Sequence, residues 1–176
     1  ANVELPTEVE SAVEWGAAGI GLFRSEFIHL QSPESGEDFH YQHYVAVLKS
    51  LNGLPLTVRT LDLGGDKLPE GSVDEENPFL GCRSIRWCLA NPEPFRAQIR
   101  AILRAGVHGP VRLMLPMITT IPELDRSLQI IDEVSDELRT EGVEFDENIP
   151  VGVMVEVPSL ALVANHVAHR VSFLSV

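Results

Sequence analysis

Short apolar runs that end on a charged or polar residue recur along this chain, and they constrain its fold more than any other feature. The first run occupies residues 19–24, is bounded by glycine, and ends on Arg24 with Glu26 close behind. Such a run predicts a buried strand. The charge at its end must project from the rim of the sheet, because an unpaired guanidinium cannot be left in a core. Related runs follow at residues 56–62, 111–117, 151–156 and 171–176.

Segments with helical spacing separate these runs, so strands and helices alternate. This alternation predicts parallel strands joined by crossover helices, with the charged strand ends at one rim. Two predicted helices begin at Thr7 and Thr120, each in a capping-box pattern. Four further predicted helices occupy residues 38–51, 82–89, 92–105 and 158–169. Residues 31–37 and 64–81 are predicted loops. With the tail of a further strand at residues 1–6, about six strands result, whereas a closed eight-stranded barrel needs about 250 residues. The fold is therefore α/β, either part of a barrel or an open sheet.

Composition excludes several classes of function. The net charge of −13 argues against nucleic acid as a partner, because phosphate backbones select basic surfaces. No apolar run approaches the roughly 20 residues of a membrane span, and the first residues do not resemble a signal peptide. Two cysteines, Cys82 and Cys88, do not make a disulfide framework and are interpreted as small, partly buried hydrophobic residues. A cytoplasmic protein is expected.

The charges at the predicted rim suggest a chemistry. Arg24, Arg59 and Lys67 are basic, and arginine forks suit phosphate and carboxylate oxygens. Glu156 supplies one carboxylate, which suits Mg²⁺ shared with substrate phosphate oxygens. The sequence thus predicts a site for a small phosphorylated anion with a divalent metal. In the alternative interpretation, these charges only pair with each other across the rim.

Five ordered motifs carry a resemblance to a known family. They are GIGLFRSE at 19–26, VRTLDLGGDK at 58–67, NPFLGCRSIR at 77–86, LPM at 115–117 and GVMVEVP at 152–158. Together they resemble the phosphoenolpyruvate-binding barrel of the Enzyme I family, the phosphoenolpyruvate–protein phosphotransferases of the bacterial sugar phosphotransferase system. The nitrogen-regulatory paralogues are similar too. Pyruvate phosphate dikinase and phosphoenolpyruvate synthase share the first motif and provide an alternative enzyme assignment.

The resemblance implies a fold and residue roles. The fold is a (β/α)₈ TIM barrel of the phosphoenolpyruvate/pyruvate type, truncated to about strands 1–6, with residues 1–176 as a single incomplete domain. Arg24 and Arg59 match the arginines that hold the phosphoryl group of phosphoenolpyruvate. Lys67 and Arg83 match basic residues in or beside that site. Glu156 matches one of two carboxylates that bind Mg²⁺.

The resemblance also implies a reaction and partners. In the family, the phosphoryl group moves from phosphoenolpyruvate to a histidine on a separate N-terminal domain and then to the carrier HPr, and the barrel domain forms a homodimer. That histidine, the second Mg²⁺ carboxylate, a later arginine and the proton-donor cysteine have no match in this chain, and Ser25 stands where threonine is usual. This chain alone is not expected to catalyse the reaction. A non-catalytic dimerisation or binding module is the alternative from a different class.

Other polar residues receive simpler interpretations. Asp62 and Glu26 are expected either to orient the rim arginines or merely to neutralise them. The histidine pairs 40/43 and 166/169 are expected at the surface, because a metal site needs three or four ligands. The acidic residues between 132 and 147 are expected to form a solvated face. Finally, unpaired edge strands near residues 1–6 and 171–176 predict self-association, which light scattering would test.

Overall fold

The computed structural model describes residues 1–31, 36–64 and 81–176, without the side chains of residues 29–31. Its core is one parallel sheet of six strands whose order in space is their order along the chain. The strands are β1 (Asn2–Val3), β2 (Ile20–Arg24), β3 (Leu56–Arg59), β4 (Val111–Leu115), β5 (Val151–Met154) and β6 (Phe173–Ser175). Six sequential parallel strands with intervening helices form a curled half-barrel, which confirms the predicted α/β class.

Eight helices accompany the sheet within the described residues. They are α1 (Thr7–Glu14), α2 (Glu26–Gln31), α3 (Glu37–Leu51), α4 (Ile85–Ala90), α5 (Pro92–Ala105), α6 (Ile121–Glu141), α7 (Pro158–Leu162) and α8 (Ala164–Val167). Their apolar faces pack on the outer face of the sheet and form one hydrophobic core. No helix in this described part of the chain is both long and apolar enough to cross a membrane.

Helices α5 and α6 form where the local sequence predicts them. Helix α5 matches its predicted bounds, and Phe95, Ile99 and Ile102 are buried along one face at helical spacing. Helix α6 begins with the predicted capping box: Glu123 N donates to Thr120 Oγ1 (3.3 Å), and Thr120 N donates to the Glu123 carboxylate (2.9 Å). It ends at Gly142 in the left-handed conformation that glycine adopts without strain.

The Thr120 cap gives a first testable effect. Thr120→Ala is expected to lower the free energy of unfolding by about 1 kcal/mol, because the Glu123 amide loses its acceptor. Urea denaturation monitored by circular dichroism would measure the difference. Thr140→Ala, near the other end of α6, is the control and should change stability by less than about 0.5 kcal/mol, because its exposed hydroxyl only bonds back to Asp136 O. Equal losses in both variants would contradict the capping role.

Some predicted elements are wrong in their bounds or caps. Thr7 is not a cap: the cap position is Pro6, which makes no side-chain cap bond. Instead the Glu8 carboxylate accepts the amides of Leu5 and Glu4, and these bonds lower its pKa. Helix α2, which overlaps the predicted 31–37 loop by one residue, was missed. The predicted helix 158–169 is two short helices because Val163, packed against the core, has φ −112° and leaves the helical region.

The predicted strands 56–62, 111–117 and 151–156 end earlier than expected. After Arg59, Leu61 N bonds to a side chain on α5 rather than to a neighbouring strand. After Leu115, Pro116 has no amide hydrogen, and Met117 takes φ 55°. These early ends leave short rim segments that carry the polar side chains. The predicted 64–81 loop lies mostly outside the described residues.

The outer helices carry a network of ion pairs that the sequence interpretation missed. Arg96, Arg100 and Arg104 follow one face of α5 at a spacing of four residues. They pair with acidic residues of α6 and α3, namely Glu133, Glu137, Glu141, Glu37 and Asp38. The hydrogen bond that Arg100 donates to Glu141, together with its contact with Glu37, raises the pKa of Arg100 despite its partial burial. The acidic face of α6 is therefore partly paired, not simply solvated.

Candidate functional site

The rim at the carboxyl ends of the strands brings two predicted arginines together. Arg24 ends β2, Arg59 ends β3, and the two residues are direct register partners in the parallel ladder. A shift in register between Ile20 and Phe23 sets this alignment. Residues paired at one level of a parallel sheet point to the same face. Both arginines therefore lie side by side at the rim.

Arg59 is held in a buried ion pair. Its side chain is 9% exposed, and its Nη2 contacts Glu26 Oε1, whose side chain is 7% exposed. Arg59 Nη2 also lies 3.4 Å from Asp62 Oδ2. Arg59 Nε and Glu26 Oε2 are buried atoms without a hydrogen-bond partner among the described residues. The geometry supports the interpretation that Glu26 and Asp62 orient Arg59, because a buried charge needs close partners of fixed position.

Asp62 connects Arg59 to Arg83. Arg83 donates from Nε and Nη2 to the two oxygens of Asp62, at 3.0 and 2.9 Å, which is the strong bidentate arrangement. The segment around Arg83 reaches this position by close contact with Gly64, where an added Cβ would lie 2.5 Å from Arg83 Cα. The predicted basic residue Arg83 thus lies behind Arg59 and shares its carboxylate.

Arg24 has a different environment. Its side chain is 46% exposed and contacts Glu4, which is 51% exposed. The two residues border an open depression of about 190 Å³ at the ends of β1 and β2. Arg24 is therefore the more accessible of the two paired arginines. Glu4 was not identified from the sequence, since nothing local links residues 20 positions apart.

Glu156 lies at the same rim, two strands beyond β3. The residue is exposed, and its Oε1 accepts the Met117 amide at 2.8 Å. Met117 itself has the left-handed φ of 55°, which is strained for a residue with a side chain. The loop after β4 therefore fixes the position of the Glu156 carboxylate. Glu156 makes no ion pair with the rim arginines in the described part of the structure.

Of the predicted site residues, the structure brings Arg59 and Arg83 into one network with Arg24 alongside, and it places Glu156 at the same rim. Lys67 lies outside the described residues. The described residues contain no group of three or more histidine, cysteine, aspartate or glutamate side chains that could hold a metal ion. Glu156 is a single hard oxygen donor, which fits Mg²⁺ only where substrate oxygens complete the coordination.

The burial of the cysteines and of His40 decides how these residues are interpreted. Cys88 is fully buried, and its thiol contacts Leu61 O at 3.6 Å. Burial and the nearby Asp62 charge raise its pKa well above the ordinary value, so it stays a thiol and not a nucleophile. Cys82 is half-buried, as expected. The surface prediction was wrong for His40, which is 1% exposed, because helix α3 turns it towards Tyr44.

Behind the rim lies a buried polar cluster that the sequence interpretation missed. Gln98 of α5 is fully buried and bonds Ser25, Tyr44 and the Leu61 amide. Burial raises the pKa of Tyr44 strongly, although its bond with Gln98 acts in the opposite direction. One signal was available: Gln98 is a polar residue on the apolar face of α5, between Phe95 and Ile102.

Comparison with known proteins identifies a family and several relatives. Residues 1–176 match the family described as PEP-utilising enzyme, PEP-binding domain, where PEP is phosphoenolpyruvate. The chain is 45% identical over 181 residues to a phosphoenolpyruvate-protein phosphotransferase of Staphylococcus carnosus, covering all of this chain and 31% of that protein. Proteins of the same name from Priestia megaterium (43%, with 31% of that protein covered) and Lactococcus lactis subsp. cremoris (44%, with 32% covered) also match over the whole chain. The chain spans about a third of the length of these relatives.

Proposed function

This chain belongs to the PEP-binding domain family of the PEP-utilising enzymes, and we propose that it forms the phosphoenolpyruvate-binding part of a phosphotransferase. The reaction moves the phosphoryl group of phosphoenolpyruvate to a protein histidine. The names of the three relatives favour this assignment over a dikinase or synthase. Breaking the bond between phosphorus and the enol oxygen, and forming a bond from phosphorus to nitrogen, requires neutralisation of the charge on the moving group.

One observation carries the proposal: Arg24 and Arg59 are register partners at the carboxyl ends of neighbouring parallel strands. Two guanidinium groups at one level offer planar donor forks to the oxygens of a phosphoryl group. Active sites of such barrels lie at this end of the strands. Arg83 adds positive charge behind Arg59 through Asp62.

The two arginines have different proposed roles. Arg24 is exposed at the rim and makes the first contact with the phosphoryl group. Arg59 is already oriented by Glu26, so a ligand that reaches it competes with that carboxylate. Pre-orientation lowers the entropy lost on binding. Lys67 is proposed as a further basic residue of the site, on the resemblance alone.

We propose Mg²⁺ as the cofactor, with Glu156 as the ligand from this chain. When bound, the ion would neutralise charge on the phosphate and carboxylate oxygens of the substrate. The Met117 amide, which bonds to Glu156 Oε1, would hold the carboxylate in place, as partners of metal ligands commonly do. Calorimetry with and without Mg²⁺ would test this part of the proposal.

The remaining assignments rest on the family resemblance alone. We propose that the histidine acceptor, the proton donor to the pyruvate enolate and the contact with an HPr-type carrier belong to other parts of the parent protein. Residues 1–176 would then be part of one (β/α)₈ barrel domain, in a parent that is a cytoplasmic homodimer. A hybrid protein that carries this chain in place of the matching third of the Staphylococcus carnosus relative would test catalysis directly.

Substrate binding gives a second testable effect. Calorimetric titration of phosphoenolpyruvate with Mg²⁺ is expected to show saturable binding, and Arg24→Ala should weaken it at least tenfold. A hydrogen bond to a charged group contributes about 1.5–3 kcal/mol, and about 1.4 kcal/mol corresponds to tenfold in affinity. Arg170→Ala is the matched control, because Arg170 is also exposed and paired with one carboxylate, Asp125, but precedes β6 at the opposite end of the strands.

Two results would contradict the proposal. If the folded chain binds no phosphoenolpyruvate, this part of the protein does not hold the substrate by itself. If Arg24→Ala binds as tightly as the unaltered chain, the rim arginines are not the phosphate ligands. The second result, combined with self-association of the chain, would favour the non-catalytic assembly module.

A further inference from the structure

The buried Gln98 has a hydrogen-bond arrangement that packing alone does not require. Its Oε1 accepts the Leu61 amide at 2.9 Å, and its Nε2 donates to Ser25 Oγ at 2.7 Å and Tyr44 OH at 3.1 Å. Every polar hydrogen and the oxygen of the amide group are thus engaged. A buried amide with all of its groups satisfied fixes its neighbours in one arrangement.

The direction of each bond is determined. Leu61 N–H must donate, so the amide oxygen of Gln98 faces it and the nitrogen faces Ser25. Ser25 then accepts from Gln98 and uses its own hydrogen to donate to Arg59 O, at 2.7 Å. Reversing the amide would place two donors against each other at Leu61. The chain of bonds therefore runs in one direction, from α5 through Ser25 to the backbone of Arg59.

These bonds bracket Thr60, the residue that follows the end of β3. Gln98 reaches Arg59 O through Ser25, and it reaches Leu61 N directly, so the backbone on both sides of Thr60 is fixed from α5. Ser25 also stands between Arg24 and Glu26, the register partner and the ion-pair partner of Arg59. The Gln98 side chain thus connects the ends of the two strands that carry the proposed phosphoryl site, through Ser25 after β2 and Leu61 after β3.

We propose that Gln98, acting through Ser25, is a positioning residue that fixes the orientation of Arg59 for the phosphoryl group. The inference rests on the proposed function of Arg59. Gln98 does not face the rim and does not touch the substrate. Its effect is to keep the carboxyl end of β3, and the guanidinium that projects from it, in one position relative to Arg24.

The network has two arms, and this provides a matched test. One arm is Ser25, which leads to Arg59. The other is Tyr44 OH, which leads to His40 Nδ1 at 3.4 Å, away from the rim. Ser25→Ala and Tyr44→Phe each delete one fully buried hydroxyl bonded to the same Gln98 nitrogen. A purely structural network would respond alike to both deletions, whereas a positioning network would not.

The experiment is a phosphoenolpyruvate titration of this chain and its variants with Mg²⁺. Ser25→Ala and Gln98→Leu are each expected to raise the Kd for phosphoenolpyruvate about tenfold. Tyr44→Phe is expected to raise it less than about twofold. Ser25→Thr keeps the hydroxyl and should bind phosphoenolpyruvate like the unaltered chain. The Arg59 Nε–H resonance in ¹H–¹⁵N spectra is the second readout, and it needs no ligand. It should shift or broaden in Ser25→Ala and stay in place in Tyr44→Phe.

The outcomes separate the two proposals. If the unaltered chain binds no phosphoenolpyruvate, the proposed function of this chain fails, while the Arg59 resonance still decides the positioning role. If Gln98→Leu does not fold, the Ser25 and Tyr44 variants carry the test alone. The inference is overturned if Ser25→Ala leaves the Arg59 resonance unchanged, or if Ser25→Ala and Tyr44→Phe alter affinity and resonance equally.

Discussion

Arg59→Ala is expected to lower the free energy of unfolding by about 3–5 kcal/mol, the usual loss when one partner of a buried ion pair is removed. The Glu26 side chain is 7% exposed and pairs with Arg59. It would remain as a buried charge without a partner among the described residues. Asp62 would keep its bidentate contact with Arg83, so the loss is centred on Glu26. Urea denaturation with linear extrapolation would measure it.

Two comparisons make this expectation specific. Arg24→Ala removes the exposed partner of Glu4 and should change stability by less than about 1 kcal/mol. Replacing both members of the buried pair, as Arg59→Met with Glu26→Leu, should recover much of the loss, because no isolated charge is then buried. Equal stability of Arg59→Ala and Arg24→Ala would show that Glu26 finds water or another partner. The expected loss also makes Arg24, not Arg59, the better position for testing substrate binding.

Local signals in the sequence predicted most of the fold. The apolar period of α5 and the Thr120 capping box of α6 depend on residues within one or two turns, and both helices match the prediction. The parallel direction of the strands was predicted from the alternation of strands and helices, and the structure confirms it. Strand ends were less predictable, because β3 stops where Gln98, 37 residues further along the chain, captures the Leu61 amide.

The candidate site was likewise predicted only in part from local signals in the sequence. The strand-end pattern identified Arg24, Arg59 and Glu156 as rim residues, and the resemblance added Arg83. Their individual partners depend on side chains far apart in sequence: Glu4 for Arg24, and the Met117 amide for Glu156. Periodicity says which face a residue occupies but not which neighbour it meets across the sheet. For the same reason, the buried histidine at position 40 was taken for a surface residue.

Gly19→Ala is expected to lower the free energy of unfolding by about 3 kcal/mol, through two effects that add. Gly19 has φ 144°, a conformation that costs a residue with a side chain about 1–3 kcal/mol. An added Cβ would lie 2.6 Å from Pro55 O and 2.7 Å from Pro55 Cγ, and overpacking of this kind costs a further 1–3 kcal/mol or so. Pro55 O also accepts the Ile20 amide at 2.8 Å, so the clash falls on the bond that aligns β2 with β3.

Gly16→Ala separates the two effects. Gly16 also has a positive φ, 85°, but an added Cβ would meet nothing within 4 Å. Gly16→Ala should therefore lower the free energy of unfolding by about 1 kcal/mol, from backbone strain alone. Thermal unfolding would show the difference, since 1 kcal/mol shifts the Tm of a chain of this length by about 2–4 °C. Equal losses would mean that Pro55 moves aside freely. A larger loss in Gly19→Ala, accompanied by weaker phosphoenolpyruvate binding, would show that the register of β2 on β3, which sets Arg24 beside Arg59, is fixed at the opposite end of these strands.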